Sequence, residues 1–135
     1  MELLPKVYIA GAYSADNVLA MLRNMREGMK LAERVFATGK AAPFVPWFDW
    51  QFEMFGDHDV STYYKYSLTW LVASDIMLIR RYASENSTGT QNEIEAANRY
   101  GVKIFYDDEW PQFVEYLNGL YERLKPKEQP CASTS

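Results

Sequence analysis

The sequence predicts an α/β protein, an open three-layer sandwich on a parallel sheet of four or five strands. Three observations predict it. Four short apolar runs, 6–10, 41–46, 76–79 and 102–106, alternate with segments of helical periodicity. The first two runs enclose one long helical stretch, and strand, long helix, strand is the signature of a parallel pair. At 48% apolar and 24% charged residues, the 135-residue chain has the composition of one globular domain.

Each element follows in order. Residues 6–10, KVYIA, read as a buried strand entering a tight turn at Gly11. Asp16 or Asn17 can cap the next helix. Val18, Leu22, Met25, Met29, Ala32 and Phe36 recur at spacings of four and three, which predicts the buried face of that helix, ended by Gly39. AAPFVP, 41–46, reads as a second buried strand. WFDWQFEMFGDHD, 47–59, breaks the pattern with aromatics at nearly every second residue. A helix over 61–73 carries Leu68, Leu71 and Val72 on one side. Asp75 precedes the third strand, IMLI. A polar loop leads to a helix from about Gln91 to Tyr100, closed by Gly101, and VKIFY is the fourth strand. Pro111 suits the start of a last helix, with Asp108 or Glu109 before it and Phe113, Leu117, Leu120 and Leu124 inward. One domain is expected over 1–124, and a disordered tail over 125–135, where periodicity ends. The expected architecture is flavodoxin- or Rossmann-like, and ligands of such sheets sit beyond the C-terminal strand ends. The loops there are 11–17, 47–59 and 80–92.

Composition narrows the chemistry. The one cysteine, Cys131, excludes a disulfide framework and a cysteine-based zinc site. The one histidine, His58, argues against a histidine-rich metal centre or a histidine-centred triad; between Asp57 and Asp59 it reads as part of a solvated turn. A net charge of −4 argues against a nucleic-acid polymer as partner but not against a single nucleotide. No apolar run is long enough to span a bilayer, and MELLPK lacks the features of a signal peptide, so a cytoplasmic protein with no membrane partner is expected.

Three segments carry candidate chemistry. STGTQNE, 87–93, offers hydroxyls at Ser87, Thr88 and Thr90, close backbone approach at Gly89, and a helix N-terminus. A carboxylate there, Glu93, should stay ionised near neutral pH, which suits a nucleophile. The same spacing also makes Thr90 to Glu93 a capping box, and from spacing alone the cap is the stronger reading. GAYSADN, 11–17, with Gly11, Tyr13 and Ser14, can contact a polar ligand, but it has neither a dinucleotide fingerprint nor a P-loop lysine. The aromatic segment around Trp47, with Tyr63, Tyr64 and Tyr66, could stack on a base, with Asp49 as its acidic group; an oligomer interface explains the aromatics equally well. Arg80 and Arg81 could meet a phosphate or be edge charges. Asp75 reads as a structural turn residue.

These segments resemble the nucleoside 2-deoxyribosyltransferase superfamily, including its nucleoside 5′-monophosphate N-glycosidase branch and small phage and bacterial relatives. The carriers are VYIAGAYS, 7–14; LTWLVASDIMLI, 68–79; STGTQNEIEAA, 87–97; and GVKIF, 101–105. The resemblance implies that Glu93 attacks the anomeric carbon of a ribosyl or deoxyribosyl group, which favours a catalytic role over the cap. It implies that Ser87 and Gly89 sit by the 5′ end of the sugar, where the N-glycosidase branch holds a phosphate, and that Tyr13 and Ser14 fall in the loop that lines sugar and base; Asn92 is a further expected substrate contact. It implies cleavage or transfer of an N-glycosidic bond without metal or organic cofactor, and a homodimer or larger assembly. The N-glycosidase branch has an aspartate just before its Leu-x-Trp-Leu segment; here Ser67 stands in that place. A hydroxyl cannot do a carboxylate's acid–base work at neutral pH. Either Asp49, Asp57 or Asp59 takes over, or the protein binds nucleotides without efficient turnover. The further alternative is a flavodoxin-like interaction protein.

Overall fold

The computed structural model describes residues 2–127. Four strands form one sheet: β1 (Lys6–Ala10), β2 (Ala42–Phe44), β3 (Ile76–Ile79) and β4 (Lys103–Tyr106). All neighbours are parallel, in the order β2-β1-β3-β4. Four helices alternate with them: α1 (Val18–Phe36), α2 (Val60–Val72), α3 (Thr88–Tyr100) and α4 (Trp110–Leu124). The expected three-layer α/β sandwich is the observed one, with four strands.

The layers follow from the two-residue period of a strand. Val7, Ile9, Ile76, Leu78 and Phe105 face one way and pack with Leu31, Ala32 and Val35 of α1 and Phe113 and Leu117 of α4. Tyr8, Ala10, Met77 and Ile79 face the other way and pack with Leu71 of α2 and Ala97 of α3. The strands are apolar throughout because both faces are covered. At the N-terminal end of the sheet, the Asp75 carboxylate accepts the Lys6 amide at 2.8 Å while the Asp75 amide donates to the Lys6 carbonyl at 2.9 Å. That carboxylate ties β1 to β3, far from the loops at the other end.

Two expectations about elements are corrected. The buried face of α1 is Gly28, Leu31, Ala32 and Val35. Of the six residues expected there, only Ala32 is buried, and Met25 packs partly on the core; Val18, Leu22, Met29 and Phe36 are exposed. Apolar spacing pointed to the wrong stripe because the packing stripe is centred on a glycine. The indole of Trp47 lies against Gly28, where a Cβ would meet the ring at 2.3 Å. The second correction is β2, which is a three-residue edge strand rather than a buried strand over 41–46. Pro43 lacks the amide that a central strand would need, and Pro46 opens a 3-10 helix over Pro46–Met54.

Asn17 caps α1, accepting the Ala20 amide at 2.8 Å. α4 begins at Trp110, one residue before Pro111, and its inward side chains are Phe113 and Leu117, with Leu120 partly buried and Leu124 exposed. The tail expected to be disordered falls, from residue 128 on, outside the described residues, as does Cys131. Among the described residues, no helix is long and apolar enough to cross a membrane.

The Gly28 contact gives a prediction. Alanine improves intrinsic helix propensity by about 1 kcal/mol, yet here it collides with a buried ring. Gly28→Ala should therefore destabilise the fold by about 1–3 kcal/mol in urea unfolding, and a Trp47→Leu background should remove most of that loss.

Candidate active site

At the C-terminal strand ends, the loops after β1 and β3 diverge because the chain leaves these adjacent strands in opposite directions along the sheet. This switch in strand order leaves a crevice, and a cavity of about 560 Å³ occupies it. Gly11, Tyr13 and Ser14 line it from the first loop, Asp49 from the 3-10 helix, Tyr63, Tyr64 and Ser67 from α2, and Ser87, Gly89, Asn92 and Glu93 from the start of α3. The topology thus brings together all but one of the site residues expected from the sequence.

The exception is Trp47. It is buried in the core between Gly28 and Tyr13, its ring 6.3 Å from that of Tyr13, and it does not line the cavity. In the 3-10 helix, Trp47 and Asp49 turn inward while Phe48 and Trp50 turn out. The indole therefore supports the cavity wall through Tyr13 rather than presenting a stacking face. Asp57, His58 and Asp59 are exposed and lie outside the cavity lining; the His58 ring packs edge-on against Tyr63 at 5.9 Å.

The capping question is decided by where α3 starts. It begins at Thr88, three residues before the expected Gln91, and its cap is Ser87, whose hydroxyl accepts the Thr90 amide at 3.2 Å. Glu93 therefore lies in the second turn, and its carboxyl makes no capping bond. Its Oε2 is buried without a hydrogen-bond partner among the described residues.

This position also overturns the expectation that Glu93 stays ionised. Burial pushes its carboxyl up to about 7; the adjacent Tyr8 hydroxyl pulls it down, and the charge of Asp49 raises it further. The benefit of a helix N-terminus fades beyond the first turn, so burial wins. Asp49 is 3% exposed. Burial lifts it to about 6, against the opposing effects of the Ser67 hydroxyl and the Trp50 amide. Ser67 Oγ donates to Asp49 Oδ2 at a long 3.5 Å. The carboxyl of Asp49 thus stands beside the serine.

Tyr8 is a site residue that the sequence reading missed. It lies on β1, fully buried, its ring 5.9 Å from that of Phe44. Burial, then the neighbouring Glu93, holds its hydroxyl well above the usual phenol range. Like Glu93 Oε2, the Tyr8 hydroxyl completes no well-formed hydrogen bond among the described residues. A tyrosine in a β1 run looks like core; its strand parity, which turns it toward the α2–α3 side, was the available signal. Tyr13 reports the same cluster, with its phenol raised to about 12 by burial, then by Asp49 and Glu93.

Arg80 and Arg81 lie outside the cavity lining, and Arg80 Nη1 is buried without a hydrogen-bond partner among the described residues. Arg81 pairs with Asp108 and lies 3.8 Å from the Tyr106 ring centre. Arg80 lies over Tyr82 at 4.8 Å, and its Cβ is where a side chain at Gly11 would collide, at 3.0 Å. Among the described residues, no group of three metal-ligating side chains is close enough to hold an ion. A groove of about 700 Å³ between α2 and α3 shares Tyr64, Leu68 and Asn92 with the cavity but holds neither Asp49 nor Glu93.

The buried pair has a thermodynamic consequence. A carboxyl raised in the folded state binds its proton more tightly there than in the unfolded chain. Its stability contribution is intact at acid pH and declines as pH rises from about 4.5 to 7 for Glu93. Glu93→Gln removes that loss. In chemical denaturation it should match the parent near pH 4.5 and exceed it by about 2–3 kcal/mol at pH 8; Asp49→Asn should show the same sign.

Comparison with protein families, curated proteins and solved structures finds no match for this chain.

Proposed function

We propose that the protein cleaves or transfers the N-glycosidic bond of a nucleoside or nucleoside 5′-monophosphate, with Glu93 as nucleophile and Asp49 as acid. The observation that carries this reading is the carboxyl pair, Asp49 and Glu93, in one cavity at the sheet's switch point, with no cation from the described residues lining it. The resemblance to nucleoside 2-deoxyribosyltransferases supports the same reading, and Asp49 beside Ser67 offers a carboxyl near the place where the N-glycosidase branch has its aspartate.

The chemistry follows from the pair. Breaking a bond between C1′ and a base nitrogen passes through an oxocarbenium-like state, as in glycoside hydrolysis. Ionised Glu93 stabilises that charge and closes onto C1′ as an ester. The departing base takes a proton from Asp49. Water then breaks the ester in a hydrolase cycle, or a second base does so in a transferase cycle, and Asp49 recovers its proton from the attacking water or base. The working form carries one proton on the pair. With Glu93 near 7 and Asp49 near 6 that proton rests mainly on Glu93, and the reactive species is the minor microstate in which it has moved to Asp49. Tyr8 keeps a hydroxyl close to the Glu93 carboxyl, and Tyr13, Tyr63 and Tyr64 offer aromatic surface to the base.

A panel of nucleosides and 5′-monophosphates, assayed chromatographically for free base, tests the proposal. Release is expected with at least one member, and Glu93→Gln should reduce it by about 10³-fold or more. The pH profile of kcat/KM should be bell-shaped with its optimum between about 6 and 7, because protonating both carboxyls removes the nucleophile and ionising both removes the acid. Asp49→Asn should lose the alkaline limb and retain slow release of bases that leave without protonation.

A second reading has its own observation. Phe48, Trp50, Phe52, Met54 and Phe55 are exposed along one short segment, with Phe55 at 86%. That surface fits an interaction face, and with the resemblance it supports a homodimer or larger assembly. Ligand-induced thermal stabilisation without base release would favour a nucleotide-binding module; neither signal would favour an interaction protein.

A further inference from the structure

We propose that the cavity selects neutral nucleosides and discriminates against their 5′-monophosphates, because among the described residues two carboxyl groups and no basic side chain line it. The inference rests on the reading of Glu93 as the group that attacks the sugar, and narrows the substrate of that same site.

The argument is one of charge. A phosphate monoester carries roughly −1.5 to −2 at neutral pH. Against it the cavity offers one helix N-terminus, that of α3, equivalent to about half a positive charge. Asp49 and Glu93 contribute up to two negative charges when ionised. A space of about 560 Å³ spans little more than the screening length of about 8 Å in physiological salt. Wherever the phosphate sits in it, salt does little to hide it from the carboxylates.

The basic residues of the neighbouring elements are directed elsewhere. Arg81 is held by Asp108 and stacked on Tyr106. Arg80 lies over Tyr82 with its Nη1 buried and without a hydrogen-bond partner among the described residues, and it is not part of the cavity lining. Lys65 and Arg99 line the separate groove between α2 and α3.

The polar groups that remain suit an uncharged sugar. Ser87 Oγ accepts from the Thr90 amide at 3.2 Å and from the Thr90 hydroxyl at 3.0 Å. A serine hydroxyl has two acceptor sites and one donor. Both acceptor sites are taken, so Ser87 has its proton left to donate into the cavity that it lines. A neutral 5′-hydroxyl oxygen accepts that bond without bringing charge toward the carboxylates.

The test measures kcat/KM for base release at pH 7 by the full-length protein, with common ribo- and deoxynucleosides paired with their own 5′-monophosphates. For the preferred base the nucleoside should exceed its monophosphate at least tenfold. Ser14→Arg, which places a cation in the lining, should shift that ratio toward the monophosphate at least tenfold. A monophosphate used as well as or better than its nucleoside overturns the inference and leaves the role of Glu93 standing. An unchanged ratio in Ser14→Arg overturns the charge argument. Release from neither class overturns the glycosidic reading itself, and this inference with it.

Discussion

Two carboxyl groups share one cleft with no cation beside either, and the fold has to hold them there against their preference for water. Asp49 is carried inward by a 3-10 helix wedged onto the core through Trp47. Glu93 is carried by the second turn of α3, whose start is fixed by the Ser87 cap and whose inner face is anchored by Thr90 and Ala97. Neither carboxyl is neutralised by an arginine or lysine, so burial is the leading influence on both. Ion pairing would have made them permanently charged; burial instead brings them close to neutral pH, where a proton can be both given and taken.

The rest of the structure serves that placement. The parallel sheet sends the loops after β1 and β3 apart and opens the crevice. Gly28 exists as a glycine because the Trp47 ring needs its space, and Trp47 in turn backs Tyr13 on the cavity wall. Tyr8, inside the sheet, sets a hydroxyl near the Glu93 carboxyl, which lowers the proton affinity that burial gives it. A chain of contacts therefore runs from α1 through the 3-10 helix to the cavity, and a change at Gly28 acts on the site through packing alone.

Much of this was legible in the sequence. The four strands were readable because each is a short apolar run between helical segments, and the loops that form the cavity followed from strand polarity. Glu93, Asp49, Tyr13, Ser14, Ser87 and Asn92 were named from chemistry-bearing residue types in those loops. What could not be read depended on tertiary packing. The buried stripe of α1 was misplaced because Gly28 contributes no apolar signal, although it is the point of closest contact. The inward turn of Trp47 is not legible in the sequence, because alternation in a 3-10 helix cannot be phased from composition. The charge of Glu93 was misjudged because α3 starts one turn earlier than its apolar periodicity suggests, which removes the carboxyl from the helix end and leaves burial in control.

The central claim is that Asp49 and Glu93 form one buried pair that changes protonation near neutrality. Nuclear magnetic resonance of protein labelled with ¹³C at the carboxyls of aspartate and glutamate measures this directly, with Asp49→Asn and Glu93→Gln assigning the signals. The account predicts two transitions with apparent values near 6 and 7, the Glu93 transition falling when Asp49 is replaced by asparagine. Independent titration of both groups near 4, as in exposed carboxylates, would contradict it.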